Sequence, residues 1–277
     1  MSLRINHNIS AMNTHRQLLI TDRMLSGSLE KLSSGLRINR AADDSAGLAI
    51  SQRLRSQIDG LKMASNNAEQ AKNMVQTTEG YLGEIHNMLG RMRVLAVQAA
   101  SDTVGTDDRT SLQGEFALLR DEIDRIALAA EYNKKPLLDG SFSGQYQIGP
   151  NAGINNKIDI SIASVSSADL AIDATVAGTN ISSLVDAVSA LTELTNAIDT
   201  VSTIRSNLGT IQNRLAYTVA SVDNAAENLS SSESTIRDLD ISDEITNFTK
   251  SQILVQAGMA MLAQANAVPQ NVLALFR

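Results

Sequence analysis

Three histidines are the side chains in this sequence best suited to metal binding or proton transfer, and their spacing favours neither. His7, His15 and His86 do not form the HExxH motif, in which two histidines one helical turn apart bind zinc. Cysteine is absent, which excludes thiol catalysis, disulfides and cysteine-ligated metals. The phosphate-binding patterns GxxxxGK(S/T) and GxGxxG do not occur. Serine, histidine and aspartate are all present, so a catalytic triad is not strictly excluded, although their abundance is the simpler explanation. We predict a protein that is not an enzyme and needs no cofactor and no metal.

The chemistry that the sequence offers instead is apolar contact at its two ends. Residues 251–276 contain no Asp, Glu, Lys or Arg, although charged residues make up 19% of the chain. Amide side chains recur through this segment and Pro269 interrupts it, which argues against insertion into a membrane. Apolar residues fall at spacings of three and four, which predicts one helix face that packs on other protein. These residues are Leu254, Ala257, Met261, Ala265, Val268, Val272 and Leu275.

The N-terminal segment is the predicted partner of that face. Residues 5–14 also lack Asp, Glu, Lys and Arg, and apolar residues follow helical spacing up to a break at Ser34 and Gly35. We therefore expect two terminal helices that pair as a coiled coil, with the rest of the chain between them. Two ordinary edge helices of a globular domain are the alternative. The N-terminal stripes consist of Ile5, Ile9, Met12 and Leu19, and of Leu18, Leu25, Leu29, Leu32 and Leu36.

Composition favours long helices and argues against nucleic acid as the main partner. The net charge is −7, the isoelectric point is near 5.0, and no Lys/Arg block occurs. Tryptophan is absent, and only four tyrosines and four phenylalanines are present, so the core must consist of aliphatic residues and methionine. Pro136 is the first of three prolines, which leaves the preceding residues free to form very long helices.

Further helical stripes lie between the terminal segments. The first runs from Leu61 to Ala99, and a helix of this length spans roughly 58 Å. Asp43 or Asp44 is the predicted N-cap of the second helix of the chain. A shorter stripe runs from Leu112 to Ala130, and another long one from Val201 to Ile236. The first stripe consists of Leu61, Ala64, Ala68, Ala71, Val75, Thr78, Leu82, Ile85, Leu89, Met92, Ala96 and Ala99.

The pattern changes from helical to alternating in the middle of the chain. Residues 157–162 alternate between polar and apolar side chains, and residues 146–148 are the predicted hairpin partner across a turn at 150–153. We predict a mainly α fold, a long antiparallel helical bundle or coiled coil with a small β-hairpin insertion. The predicted segments are 1–44, 45–165 with the hairpin at about 140–163, a patternless middle at 166–183, 184–237 and 238–277.

Signatures at both ends of the chain resemble those of bacterial flagellin. The similarity covers about the first 165 and the last 80 residues, and paired signatures in this order are highly specific. Phe276 stands where the family usually has an aliphatic residue. The matching segments are INHNISA at 5–11, KLSSGLRINRAADD at 31–44, AGLAIS at 46–51, NRL at 213–215, ENL at 227–229, ESTIRD at 233–238, AQAN at 263–266 and PQNVL at 269–273.

The resemblance implies a structural subunit that self-assembles into the flagellar filament for swimming. Flagellins are exported unfolded by the flagellar type III apparatus, and their terminal helices form an inner tube. Segments 1–44 and 238–277 would belong to this tube, and 45–165 and 184–237 to an outer tube, with a short variable middle at 166–183. The polymerisation seam would consist of Ile5, Ile9, Met12, Leu25, Leu29, Leu32, Leu254, Met261, Leu262, Val268, Val272 and Leu275.

Location and partners also follow from the resemblance. The filament would be extracellular, with a periplasmic filament as the alternative. The implied partners are further copies of the chain, an export chaperone at the C-terminal helix, and cap and hook-associated proteins. Gln252, Gln256 and Gln264 form a neutral stripe that we expect to face the central channel; an exposed or interhelical face is the alternative.

The resemblance extends to the segment that a vertebrate innate receptor recognises in flagellins. Arg91, Leu95 and Gln98 match it, with Glu115 of the next helix as the acidic contributor. Val94 stands where receptor-activating members have an acidic residue, which argues against activation. On the alternative interpretation Leu95 only packs in the bundle, and the two charged residues are solvated or contact another subunit.

Two other functions stay open at the level of sequence. A hook–filament junction protein resembles flagellin at both ends but acts as an adaptor and does not form long homopolymers. An enzyme carried on a flagellin-like scaffold would need a site in the middle of the chain, and the short middle offers none. The strong C-terminal match favours flagellin over the junction protein.

Overall fold

The computed structural model describes residues 7–173 and 179–275, and the side chains of those residues up to 267. Helices dominate this part of the chain, as the sequence predicts. They are α1 (Ile9–Ser34), α2 (Ser45–Ala99), α3 (Thr106–Ala129), α4 (Leu184–Arg237) and α5 (Ile241–Leu275). Short strands follow α3, namely β1 (Glu131–Tyr132), β2 (Lys135–Pro136), β3 (Ser143–Gln147) and β4 (Lys157–Ser161).

The chain divides into two compact units. The terminal unit comprises residues 1–56 and 228–277, and the central unit comprises residues 57–227. The terminal unit contains α1, α5 and the adjoining ends of α2 and α4. The central unit contains α3, the strands and the greater part of α2 and α4.

The core of the central unit is a set of helix seams. All twelve residues of the predicted α2 stripe from Leu61 to Ala99 are buried. Thr78 is the polar member, and its hydroxyl donates a hydrogen bond of 2.9 Å to Met74 O within the helix. Phe116 and Ile123 of α3 pack into the same core, together with residues of α4. The predicted fold, a mainly α bundle with long helices, is confirmed.

The α4 stripe is predicted correctly only in part. Val201 and Leu215 are buried, whereas Val222 is half-buried and Ala225 is exposed. The prediction of a continuously packed face up to Ile236 is therefore wrong beyond residue 215. Helical spacing tells which residues share a face, but it does not tell how far a neighbouring helix covers that face.

Three glycines lie inside α2 where packing does not require them. A β-carbon at Gly80, Gly83 or Gly90 would meet no atom within 4 Å apart from the backbone of the same helix. Glycine in a helix interior costs up to ~1 kcal/mol relative to alanine. The helix is nevertheless continuous over its 55 residues, which we attribute to the buried seam on its other face.

The predicted β-hairpin is confirmed. β3 and β4 pair antiparallel, with Tyr146 opposite Ile158. Ile158 and Ile160 point into the core, as the alternating pattern predicts. The hairpin loop lies against α2, where a β-carbon on Gly60 would be 2.9 Å from Pro150 Cβ.

The segment after the hairpin is packed, although its sequence shows little pattern. Leu170, Ile172 and Ile181 are buried. The backbone N–H and hydroxyl of Ser167 each donate a 2.7 Å hydrogen bond to the carboxylate of Asp124 on α3. The described part of 163–183 is therefore tied to the central core, which the sequence did not indicate.

Asp44 is the N-cap of α2, as predicted. Its carboxylate accepts a 2.8 Å hydrogen bond from Gly47 N. Asp43 has a different role and accepts the backbone N–H groups of Arg40 and Asn39 at 2.9 and 3.1 Å. These two hydrogen bonds lower the pKa of Asp43 because they stabilise its charged form, and the one from Arg40 has the larger effect.

Candidate assembly surface

The two terminal helices pair antiparallel within the terminal unit. Near the chain ends, Asn8 Nδ2 donates a 2.7 Å hydrogen bond to Ala265 O. Further along, the two backbones approach closely, because a β-carbon at Gly258 would lie 3.1 Å from Leu18 Cδ1. The predicted pairing of the termini as a helical coiled coil is confirmed.

One face of each helix forms the contact, and we call these two faces the inner seam. The covered positions follow spacings of three and four on both helices. On α1 they are Ala11, Thr14, Leu18, Thr21, Leu25, Ser28 and Leu32; on α5 they are Glu244, Phe248, Ser251, Val255, Gly258, Leu262 and Ala265. Among the α1 and α5 side chains up to residue 267, the buried ones are all polar, namely Thr21, Ser28, Glu244 and Ser251.

The face of α5 that was expected to pair with α1 is the wrong one. Leu254 and Met261 are 44% and 64% exposed, and Ala257 between them is exposed as well. The pairing stripe lies one position further along the chain, where Val255 and Leu262 are half-buried. Both stripes begin with spacings of three and four in an uncharged segment and meet at Ala265, so the pattern alone does not distinguish them.

Large apolar side chains cover the surface that the pair leaves free, and we call this surface the outer face. Exposed apolar residues are unremarkable singly, but a dense set on two neighbouring helices is typical of an interaction site. On α1 the outer face consists of Ile9, Met12, Leu19, Ile20, Met24 and Leu29. On α5 it consists of Ile241, Ile245, Ile253, Leu254, Met259 and Met261.

Two shallow grooves run along these helices. One, of about 420 Å³, lies between Leu18 of α1 and Leu254 and Met261 of α5, and no charged residue lines it. The other, of about 470 Å³, lies on α5 beside Ile245 and Ile253, and Lys250 is its one charged residue. The two grooves therefore offer apolar contact with few charges to desolvate.

The remaining predicted seam residues have different placements. Leu25, Leu32 and Leu262 lie on the inner seam. Ile5 lies outside the described residues. Val268, Val272 and Leu275 lie on the described backbone of α5, but their side chains lie outside the described part.

The described residues contain no group of three or more His, Asp and Glu placed to hold a metal ion. None of their helices combines the length and hydropathy that a membrane span requires.

Two family models match the chain. The one described as the bacterial flagellin N-terminal helical region matches residues 5–143, and the one described as the bacterial flagellin C-terminal helical region matches residues 191–276. Together they cover well over half of the sequence. The chain belongs to the bacterial flagellin family.

Similarity to individual flagellins extends over the whole chain. A flagellin of Halalkalibacterium halodurans is 45% identical over 276 residues, covering 99% of each chain. A crystal structure of Bacillus cereus flagellin is 29% identical with a TM-score of 0.50, covering 61% of this chain and 94% of that one. A Vibrio parahaemolyticus protein described as flagellar hook-associated has a TM-score of 0.60, covering 71% of this chain and all of its own. It is only 13% identical and shows the shared fold alone.

In this flagellin, the segment expected to meet an innate receptor lies partly at the surface. Arg91 of α2 and Glu115 of α3 form an exposed ion pair, with Nη2 and Oε1 2.7 Å apart. Gln98 is exposed and Val94 is 56% exposed. Leu95 is only 1% exposed and belongs to the core of the central unit. A ligand that approaches this surface meets the ion pair and Gln98, whereas Leu95 supports the helix from beneath.

Proposed function

We propose that this flagellin is a structural subunit that self-assembles into the filament of the bacterial flagellum. The observation that carries the proposal is the outer face, where twelve large apolar side chains of α1 and α5 lie uncovered in one chain. Further copies of the chain are the partner that would cover them in a homopolymer.

The size of the outer face suits a cooperative polymer. Full burial of an aliphatic or methionine side chain contributes roughly 1.5–3 kcal/mol, and about half of each of these side chains is already covered. Twelve residues then contribute on the order of 10 kcal/mol per subunit, which must offset an association cost of about 4–15 kcal/mol. Assembly should therefore have a sharp critical concentration.

The same reasoning supports terminal helices that become ordered during assembly. Up to residue 267 the buried positions of the terminal pair are polar, and the large apolar side chains of its inner seam are only half-buried. The pair therefore gains less from apolar burial than a closed core would. In dilute monomer we expect the two terminal segments to be largely disordered. Limited proteolysis tests this: the tails should be cut rapidly in monomer and resist cleavage in filaments, and protease-resistant helical tails in dilute monomer would contradict the proposal.

Export, channel lining and partners complete the proposed role. The chain would leave the cell unfolded through the flagellar type III apparatus, with an export chaperone holding the α5 segment. Gln252, Gln256 and Gln264 are all exposed on α5, which supports a neutral lining for the central channel. Cap and hook-associated proteins would meet the same terminal helices at the filament ends.

Recognition by a vertebrate innate receptor would use the Arg91–Glu115 pair and Gln98. We propose weak activation, because apolar Val94 replaces the acidic residue at the centre of this surface. A reporter-cell assay comparing the wild type with Val94→Asp tests the proposal. A response from the wild type equal to that of the variant would contradict it.

Electron microscopy of negatively stained samples tests the main proposal. The full-length chain should form long uniform filaments under seeded, salting-out conditions, and a truncation ending at Lys250 should form none. A full-length chain that stays monomeric would favour the hook–filament junction function, for which partner binding at the hook is the readout.

A further inference from the structure

The segments that enter and leave the terminal helices are joined by a short backbone contact, which we call the clamp. Arg37 N donates a 2.7 Å hydrogen bond to Arg237 O, and Leu239 N donates a 3.0 Å hydrogen bond to Gly35 O. Between these bonds the two segments form an antiparallel bridge. The clamp consists of Gly35, Leu36, Arg37, Arg237, Asp238 and Leu239.

Both helix ends are fixed directly beside the clamp. Gly35 closes α1 with φ 69°, a left-handed conformation that glycine adopts without strain, and its N–H donates to Lys31 O at 2.8 Å. On the other segment, Asp240 Oδ1 accepts a 2.9 Å hydrogen bond from Ser242 N at the start of α5. The clamp therefore defines which turn of α1 lies opposite which turn of α5.

Between its ends at Ala11 and Glu244, the inner seam does not define this alignment, because its chemistry there repeats every seven residues. On α1, Leu18, Leu25 and Leu32 alternate with Thr14, Thr21 and Ser28. On α5, Phe248, Val255 and Leu262 alternate with Ser251, Gly258 and Ala265. If α5 slid by seven residues, ~10 Å along the axis, large residues would again face the same kinds of neighbour.

We propose that the clamp sets the register of the terminal helix pair. A seam with two nearly equivalent alignments needs a contact outside it to select one, and the backbone hydrogen bonds of the clamp are specific to one alignment. Only the biological role of this register rests on the proposed function. In a filament, the register would decide which outer-face residues of α1 and α5 lie side by side and meet the next subunit.

Engineered cysteine pairs report the register directly, since the chain has no cysteine of its own. A β-carbon at position 258 would lie 3.9 Å from Leu18 Cβ, within the ~3.5–4.5 Å of a disulfide. Leu18→Cys with Gly258→Cys therefore reports the native register. Leu25→Cys with Gly258→Cys reports a slip of one heptad.

Each reporter pair is combined with an intact or a broken clamp. Arg37→Pro removes the N–H that donates to Arg237 O. The matched control Arg37→Ala keeps this N–H and loses only the side chain, whose guanidinium donates to Ile236 O. Leu239→Pro removes the other hydrogen bond and serves as an independent second variant. Intrachain disulfides are quantified by mass spectrometry in both the soluble and the pelleted fraction, and interchain disulfides appear as ladders on non-reducing gels.

With an intact clamp and in Arg37→Ala, the native cysteine pair should form on the order of tenfold more intrachain disulfide than the slipped pair, or more. In both proline variants, the native and the slipped cysteine pairs should form comparable amounts of intrachain disulfide. A native preference that survives both proline variants would overturn the proposal, and so would a native reporter that forms no intrachain disulfide in either fraction. A chain that shows these disulfides but never pellets would instead refute the proposed homopolymer and leave the register inference standing.

Discussion

Replacing two outer-face residues with polar ones should weaken assembly without weakening the fold of the monomer. Leu254 and Met261 are 44% and 64% exposed and flank the groove of about 420 Å³. Full burial of such side chains contributes roughly 1.5–3 kcal/mol each, so covering their exposed parts contributes about 2–3 kcal/mol together. In Leu254→Asn combined with Met261→Asn, the critical concentration should rise by roughly 30- to 150-fold.

The measurement is the protein left in the supernatant after seeded assembly and sedimentation. Gln256→Asn is the matched control: it introduces asparagine at an exposed position of α5 without removing apolar surface. Its critical concentration should stay within about twofold of the wild type, because only the small helix-propensity term of asparagine changes. The free energy of unfolding of the central unit should be unchanged in both proteins.

Two outcomes would refute the reasoning. If the double variant assembles at the wild-type critical concentration, these residues stay uncovered in the filament, and the outer face is not the assembly surface. If Gln256→Asn weakens assembly as strongly as the double variant does, the helix conformation of α5 limits assembly, and the apolar area does not.

Three further predictions concern interactions within one chain. Leu95→Ala should lower the free energy of unfolding by about 2–5 kcal/mol, since the side chain is 1% exposed, and chemical denaturation measures this. A fall below ~1 kcal/mol would contradict its placement in the core. Asp124→Ala should remove both hydrogen bonds to Ser167 and cost about 1–3 kcal/mol. Hydrogen exchange of residues 163–172 should then accelerate, and unchanged protection would contradict this anchor. Asp43 has a lowered pKa in the folded chain, so its stabilising effect is present above the unfolded pKa and is lost as the pH falls through the folded one. In filaments, where the terminal segments are ordered on the proposed mechanism, Asp43→Asn should therefore flatten the dependence of stability on pH in this acidic window. Identical acid-unfolding curves of wild-type and variant filaments would contradict the assignment.

The α2 seam was predictable because one stripe dominates its helix. From Leu61 to Ala99 the apolar residues keep one spacing, and the remaining faces carry polar or charged residues, so a single face qualifies for burial. The hairpin was predictable for a similar reason, since residues 157–162 alternate without ambiguity.

The pairing face of α5 was not predictable, because an uncharged helix has more than one apolar stripe. Leu254 and Val255 each belong to a stripe with spacings of three and four, and only the position of α1 decides between them. The packing of the segment after the hairpin depends on a contact between Ser167 and Asp124, which are 43 residues apart. Local pattern carries no information about such a contact.

The three unneeded glycines of α2 have a consequence for the way this chain is made ready for transport. Alanine would fit at positions 80, 83 and 90, so the helix forgoes roughly 2–3 kcal/mol of stability that its packing would permit. On the proposed export route each subunit must be pulled into an extended thread before it passes a narrow conduit. A long helix with weak points in its C-terminal half would give way there under a smaller force than a helix with alanine at these positions.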